Sequence, residues 1–244
     1  VANVIFVSWQ EGDNSGRIQR AIDYVSSLSP DTQGFRGAVL LDKGVFELTE
    51  SLQIRTSGVV LRGMDREETV LLKKGVDRGA LVYVEGLNDK YVTDTFKIET
   101  KYVPVNACTF QISGDASLKV GERVQILRPS TKEWIASLGC FEHGGANSYS
   151  GWKPGEIDIL WDRTIMKVEG NQVTVDAPFT VALDEQWGTS LVMPYVWNGR
   201  ISDAGVENMT LVSDYDKNYP MDEDHCWTGV FIDNAENCWG RRVN

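Results

Sequence analysis

Between residues 37 and 86 the hydrophobic positions come in short bursts. Runs rich in leucine and β-branched residues at 38–41, 45–48, 52–54, 59–61, 70–72 and 81–84 are cut apart by glycines and charged residues. Each run is too short for a helix and has the composition of a strand. Val39 and Val60 are 21 residues apart, and Val60 and Val82 are 22 apart. A strand pattern returning at that interval predicts a solenoid whose turns stack on one another. No Asn-Gly or Asp-Gly pair joins the runs, which disfavours an antiparallel meander.

Upstream, 4–7 reads as a strand. Asp13, Asn14 and Ser15 offer capping side chains, and Ile18, Ala21, Ile22, Val25 and Leu28 follow at helical spacing before Pro30. An amphipathic helix over 15–28 would cover the open end of the first coil, where an unpaired edge invites aggregation. After residue 88 the runs lengthen and alternate. LKVGERVQIL and MKVEGNQVTV predict antiparallel strands and a hairpin, with turns at Gly114, Gly121 and Gly170. We divide the chain into 1–88 (cap helix and first coils), 89–198 (a β-rich insertion) and 199–244 (continuing coils). Within the insertion, a short helical run at 134–138 opens a long glycine-rich loop reaching residue 161, and long loops in compact domains are often functional. In the last segment, GRISDAGVENMTLVS and TGVFIDNAENCWGRRVN predict two successive coils, Met209 and Val230 again lying 21 residues apart. The acid-rich DYDKNYPMDEDHCW lies between them. A solenoid needs its last coil covered, so either further coils beyond Asn244 or another subunit is expected as a partner.

Composition narrows the function. The 244 residues are 42% hydrophobic and carry a net charge of -11. That charge argues against general nucleic-acid binding, and it requires arginines or a bound cation wherever a polyanion is to sit. No apolar run approaches the ~20 residues of a membrane span. The four cysteines show no CxxC spacing, leaving free thiols or one to two disulfides open. Asn208-Met209-Thr210 is a glycosylation sequon. GxSxG, P-loop and GxGxxG motifs are absent.

Three segments carry a family resemblance: QEGDNSGRIQRAID (10–23), GAVLLDKGVFELTESLQI (37–54) and TSGVVLRGM (56–64). They resemble the N-terminal coils of right-handed parallel β-helix proteins of the pectate-lyase-like superfamily, over about the first third of the chain, with an echo at 205–243. The resemblance implies an all-β fold, a right-handed parallel β-helix with an N-terminal cap helix and a β-rich insertion. It also implies a secreted, periplasmic or cell-surface protein with a polysaccharide as partner, and β-elimination of an acidic glycan as the activity. The same coils occur in lyases, hydrolases, tailspikes and adhesins. Two alternatives therefore stand beside the lyase: a glycoside hydrolase with paired carboxylates drawn from Asp222, Asp224, Glu207 and Asp162, and a non-catalytic glycan-binding or structural β-helix.

Elimination next to a carboxylate needs charge neutralisation, a base and an acid. His143 in the glycine-rich loop, with Tyr149 nearby, His225 among acids, and Arg163 are the candidate catalytic groups. Arg200 and, on the last coil, Arg241 and Arg242 are further arginine candidates for neutralising a carboxylate, with salt bridges within the coils as the alternative for each of these arginines. Seven of the eight tryptophans follow residue 133. Exposed indoles pack on the C–H faces of sugars, which makes Trp134, Trp152 and Trp227, with Arg200, the candidate substrate-binding set. Asp222, Glu223 and Asp224, with Asp214 and Asp216 upstream, offer hard oxygen ligands. They form a candidate calcium (Ca2+) site, a solvated acidic loop being the alternative.

Overall fold

The computed structural model describes residues 3–114, 117–141 and 151–244. The chain forms two compact units, one of Val1–Asp89 with Asn198–Asn244 and one of Lys90–Trp197.

The first unit is a right-handed parallel β-helix with an N-terminal cap helix. β1 (Val4–Val7) and α1 (Ser15–Ser27) precede a turn made of β2 (Gly37–Leu41), β3 (Gly44–Leu48) and β4 (Leu52–Ile54). β5 (Val59–Gly63), β6 (Thr69–Lys73) and β7 (Ala80–Glu85) form the next turn. After residues 90–197 the helix continues with β8 (Gly205–Ser213) and β9 (Thr228–Asp233), and β10 (Trp239–Val243) opens another turn. All pairings are parallel. β1, β2, β5, the first half of β8 and β10 make one sheet. β3, β6 and the second half of β8 make another, and β4, β7 and β9 a third. Alternate side chains point inward (Val39, Leu41, Phe46, Leu48, Leu52, Ile54, Leu61, Leu71, Val82, Val84, Val206, Met209) and are buried in one continuous core.

The register corrects the repeat length read from the sequence. Val39 pairs with Leu61, 22 residues on, but Phe46 pairs with Leu71, 25 on, and Leu52 with Val82, 30 on. Val60 and Val82 lie on different sheets of one turn, as do Met209 and Val230. Loops of unequal length between the sheets destroy a single period. For the same reason the acid-rich segment lies inside one turn, between β8 and β9, and not between two coils.

The cap helix buries Ile18, Ala21, Ile22 and Val25. Asp13 fixes its start: Oδ1 accepts from the Ser15 N–H and hydroxyl (3.1 and 2.6 Å) and from the Thr49 N–H of the neighbouring turn (3.0 Å). Burial pushes that carboxyl up, but the Ser15 and Thr49 hydrogen bonds outweigh it and hold it down at about 2. The chain leaves the β-helix and returns to it at one spot. The Leu87 N–H donates to the Gly199 carbonyl (2.8 Å), and the Gly199 N–H donates to Asp89 Oδ1 (2.8 Å). A Cβ on Gly86 would lie 2.4 Å from the carbonyl oxygens of both Asn234 and Gly199, so only glycine allows this close stacking.

The second unit is an antiparallel sheet with strands in the order 109–111, 172–175, 159–169, 123–128 and 191–196, the last also pairing with 91–92 and 96–97. Phe110, Val124, Ile126, Trp161, Ile165, Val173, Phe179 and Val192 form its own core. The short helix α2 (Lys132–Ser137) is capped by Thr131 Oγ1, which accepts from the Trp134 N–H.

All four cysteines are free thiols. Burial pushes those of Cys226 and Cys238 up, away from the reactive thiolate. The sequon asparagine is built into a corner of the β-helix, where Asn208 Nδ2 donates to the Gly63 carbonyl (2.8 Å). Among the described residues no helix is long and apolar enough to cross a membrane.

Candidate functional site

Strand alternation that sends Leu61 and Val206 into the core sends Arg62 and Glu207 outward on the first sheet. The parallel register then stacks outward residues in rows. Val60, Gly205 and Trp239 form one row, and Arg62, Glu207 and Arg241 the next, across three successive turns.

Glu207 is the fixed point of this face. Its side chain is 4% exposed although it lies on the outer surface of the sheet, because its neighbours cover it. Oε1 accepts from Arg62 Nε (2.5 Å), while Oε2 accepts from Arg241 Nη2 (2.8 Å) and Trp239 Nε1 (3.0 Å). Burial pushes the carboxyl up. The Trp239 and Arg62 hydrogen bonds and the two guanidinium charges more than offset this and hold it below the usual carboxylate range. Glu207 is thus a carboxylate at neutral pH, with no proton to donate.

Trp239 lies across Gly205, where a Cβ would come within 2.3 Å of the indole. Phe35 meets the ring edge-on at 6.2 Å. An aromatic wall and a guanidinium row therefore border one groove. Arg62, Met64, Asp65, Asn208, Arg241 and Arg242 line a stretch of about 500 Å³. Phe35, Val60 and Trp239 line an adjoining stretch of about 360 Å³ that shares Arg62, Glu207 and Arg241. The side chains of Arg62 and Arg241 are 39% and 68% exposed. Each gives Glu207 only part of its five-donor fork, leaving N–H groups that suit a planar anion. Asp65 also lines this stretch, its Oδ1 accepting from the Glu67 and Glu68 N–H groups (2.8 and 3.1 Å).

The residues singled out in the sequence fall elsewhere. In the acid-rich segment, Asp224 pairs with Arg78 (2.8 Å) and Glu223 lies 3.7 Å from the same guanidinium. Asp222 accepts the Asp216 and Asp224 N–H groups (2.7 and 2.9 Å), and those bonds hold its carboxyl below the usual range. Among the described residues no three His, Cys, Asp or Glu side chains gather as a metal site. Arg78 lies 5.3 Å from the Trp227 ring, whose Nε1 donates to the Glu223 carbonyl. His225 Nδ1 lies 3.0 Å from both Ser213 Oγ and the Cys226 carbonyl oxygen, with Tyr215 tilted against the ring.

Arg163, in the second unit, gives its three nitrogens to the carbonyls of Ala177, Asp162 and Pro178 (2.8–2.9 Å) and so works as a strand latch. Arg200 ties two turns of the β-helix through Glu236 (3.5 Å) and the Ala235 carbonyl. Trp134 and Trp152 stack at 5.9 Å, with the Arg128 guanidinium 4.5 Å from the Trp134 ring. His143 and Tyr149 lie outside the described residues. Of the paired-carboxylate candidates, Glu207 is in the groove, Asp222 and Asp224 are in the loop, and Asp162 is in the second unit. The sequence reading missed Arg62 and did not select Trp239. The signal available was a charge at an alternate position of an otherwise apolar run, in VVLRG and again in GVENM.

No protein-family model and no curated protein matches the chain. Solved structures match it in shape. The tailspike gp61 of Pseudomonas phage phi297 has a TM-score of 0.51 at 13% identity, over 94% of this chain and 31% of that one. The gp54 tailspike of Acinetobacter baumannii bacteriophage AP22, in complex with A. baumannii capsular saccharide, has a TM-score of 0.46 at 11% identity, over 95% of this chain and 31% of that one. The tailspike gp49 of Pseudomonas phage LKA1 has a TM-score of 0.41 at 11% identity, over 81% and 29%. The fold likeness rests on the first of these. The chain spans about a third of the length of each of these tailspikes.

Proposed function

We propose that this chain is part of an extracellular, surface-acting β-helix that binds an acidic polysaccharide in the groove over β5, β8 and β10. One observation carries the reading: a buried carboxylate, Glu207, holds two part-exposed guanidiniums in a row beside Trp239. An indole face packs on the C–H surface of a sugar ring, and guanidinium forks pair with sugar carboxylates. On a chain of net charge -11, such a patch is where a polyanion would be accepted. The tailspike-like fold and the pectate-lyase-like coils both suit a polysaccharide partner.

β-Elimination is the finer form of this reading. Guanidiniums that neutralise a uronate carboxylate make the adjacent C–H more acidic. Glu207 cannot take that proton, because its oxygens are committed to Trp239 and the arginines.

The test is retention of the protein on immobilised uronate polysaccharides compared with their carboxyl-reduced forms, with product analysis of the eluate. Binding that requires the carboxylates and is lost in Trp239→Ala supports the site. Unsaturated, ultraviolet-absorbing ends indicate a lyase, and reducing ends without that absorbance indicate a hydrolase. The same assay with EDTA and with added Ca2+ reads whether the acidic loop supplies a cation. Equal behaviour on acidic and carboxyl-reduced columns would sink the proposal.

A further inference from the structure

Six non-glycine residues among the described ones have φ in the left-handed region: Asn106, Asp203, Asn208, Asn234, Asn237 and Arg242. Five are Asn or Asp, whose short polar side chains tolerate that conformation. Arg242 is the exception, with a φ of 53°.

Its position makes the exception informative. The β-helix turns its corners at residues that stack from one turn to the next. The register places Asp203 beside Asn237, both left-handed, where the chain enters the first sheet. It places Asn208 beside Arg242, both left-handed, where the chain leaves that sheet. At this second corner Asn208 gains a hydrogen bond to the Gly63 carbonyl. The Arg242 side chain makes no hydrogen bond and no ion pair among the described residues. It lines the groove that also holds Arg62 and Arg241, and its charge reaches Asp65 only as a weak field. Among the described residues, that stretch sets Arg62, Arg241 and Arg242 against Glu207 and Asp65, one positive charge in excess. An asparagine would satisfy the corner without strain. An arginine there spends backbone energy and keeps a free cation in the groove, and strain of this kind concentrates at ligand-binding positions.

We propose that Arg242 is the specificity-determining residue of the groove, the cation that binds the carboxylate of an acidic sugar. The inference rests on the reading of this groove as an acidic-glycan site. Arg62 and Arg241 are half-spent on Glu207, so they orient the saccharide, and Arg242 decides whether it must be charged.

The experiment pairs binding with stability. Wild type, Arg242→Asn and Arg242→Lys are titrated with uronate oligosaccharides (galacturonate, mannuronate and glucuronate types) and with their carboxyl-reduced forms, and each protein is melted. Arg242→Asn should melt about 2 °C higher, because it relieves the left-handed arginine. It should bind the acidic oligosaccharide about tenfold more weakly and the reduced form unchanged. Arg242→Lys should keep part of the acid preference with no gain in melting temperature. A wild type that prefers acidic ligand while Arg242→Asn binds it equally well overturns the role of Arg242 and leaves the groove standing. A wild type with no acid preference on any of the three overturns both. A lower melting temperature for Arg242→Asn refutes the strain on which the argument stands.

Discussion

Two arginine–carboxylate clusters on the β-helix are built in opposite senses. On the first sheet a buried carboxylate, Glu207, sits between two part-exposed arginines. Beside the loop between β8 and β9 an exposed arginine, Arg78 of the segment joining β6 to β7, sits among that loop's exposed carboxylates. Whether a cluster has a buried member sets its character. Glu207 is held by three donors from two neighbouring turns, so the guanidiniums around it are fixed and partly unsatisfied, which is what anion recognition needs. Arg78 has nothing buried to anchor it, and its partners are 64% and 67% exposed. Water screens such a pair, so that cluster mainly solvates a surface loop.

The comparison breaks most visibly at Glu207. Glu207→Gln should cost about 2–3 kcal/mol, below the range for a fully buried pair because both arginines reach solvent. It should also weaken binding of acidic saccharide more than tenfold, as the guanidiniums lose their anchor. The urea midpoint and a binding titration read the two effects, and a loss under about 0.5 kcal/mol would mean that Glu207 anchors nothing.

Next is the aromatic wall. Trp239→Ala should cost about 2 kcal/mol, half of what a fully buried tryptophan loses, and should uncover Val60, which is 1% exposed. Trp227→Ala, in the loop, should change the midpoint by less than half as much.

A smaller effect separates the cap helix from both clusters. Asp13→Asn should cost about 1 kcal/mol, the difference between hydrogen bonds to a charged and to a neutral acceptor. The folded carboxyl is held down at about 2, below its ordinary value. Its contribution is therefore complete above the ordinary carboxylate value and is lost as pH falls through about 2. Acid titration of stability should show a shallower low-pH limb in Asp13→Asn than in wild type. Glu207 is shifted in the same direction, so Glu207→Gln should flatten that limb as well.

The smallest effect is expected at Arg78. Arg78→Ala should lower the urea midpoint only slightly at low salt and leave it unchanged at high salt. A large, salt-independent loss would erase the distinction between the clusters.

The strands of the β-helix were legible in the sequence because each needs only a short apolar run with alternating polarity. All six runs between 38 and 84 are strands, and the cap helix ends one residue short of the expected Leu28. The repeat length was not legible, because Val60 and Val82 look equivalent in composition while belonging to different sheets. The groove was harder still. Arg62 and Glu207 are 145 residues apart, with a separately folded unit between them, and nothing local to VVLRG announces its partner in GVENM. Glu207 drew notice only as one hydrolase carboxylate among four. Local clusters such as Asp222-Glu223-Asp224 stand out because charge density is visible along a chain, whereas register is not. Yet register gathers Arg62, Glu207, Trp239 and Arg241.

The junction at Leu87 and Gly199 gives the β-helix a socket. Because the two residues are joined by a hydrogen bond, the points where the chain leaves and re-enters the β-helix lie side by side. Residues 90–197 behave in this respect like a cartridge. A short glycine linker from Asp89 to Asn198 should close the solenoid seamlessly, and a foreign domain with neighbouring termini should plug into the same place. Scaffolds with such sockets can exchange their accessory modules by recombination while the rung beneath keeps its shape.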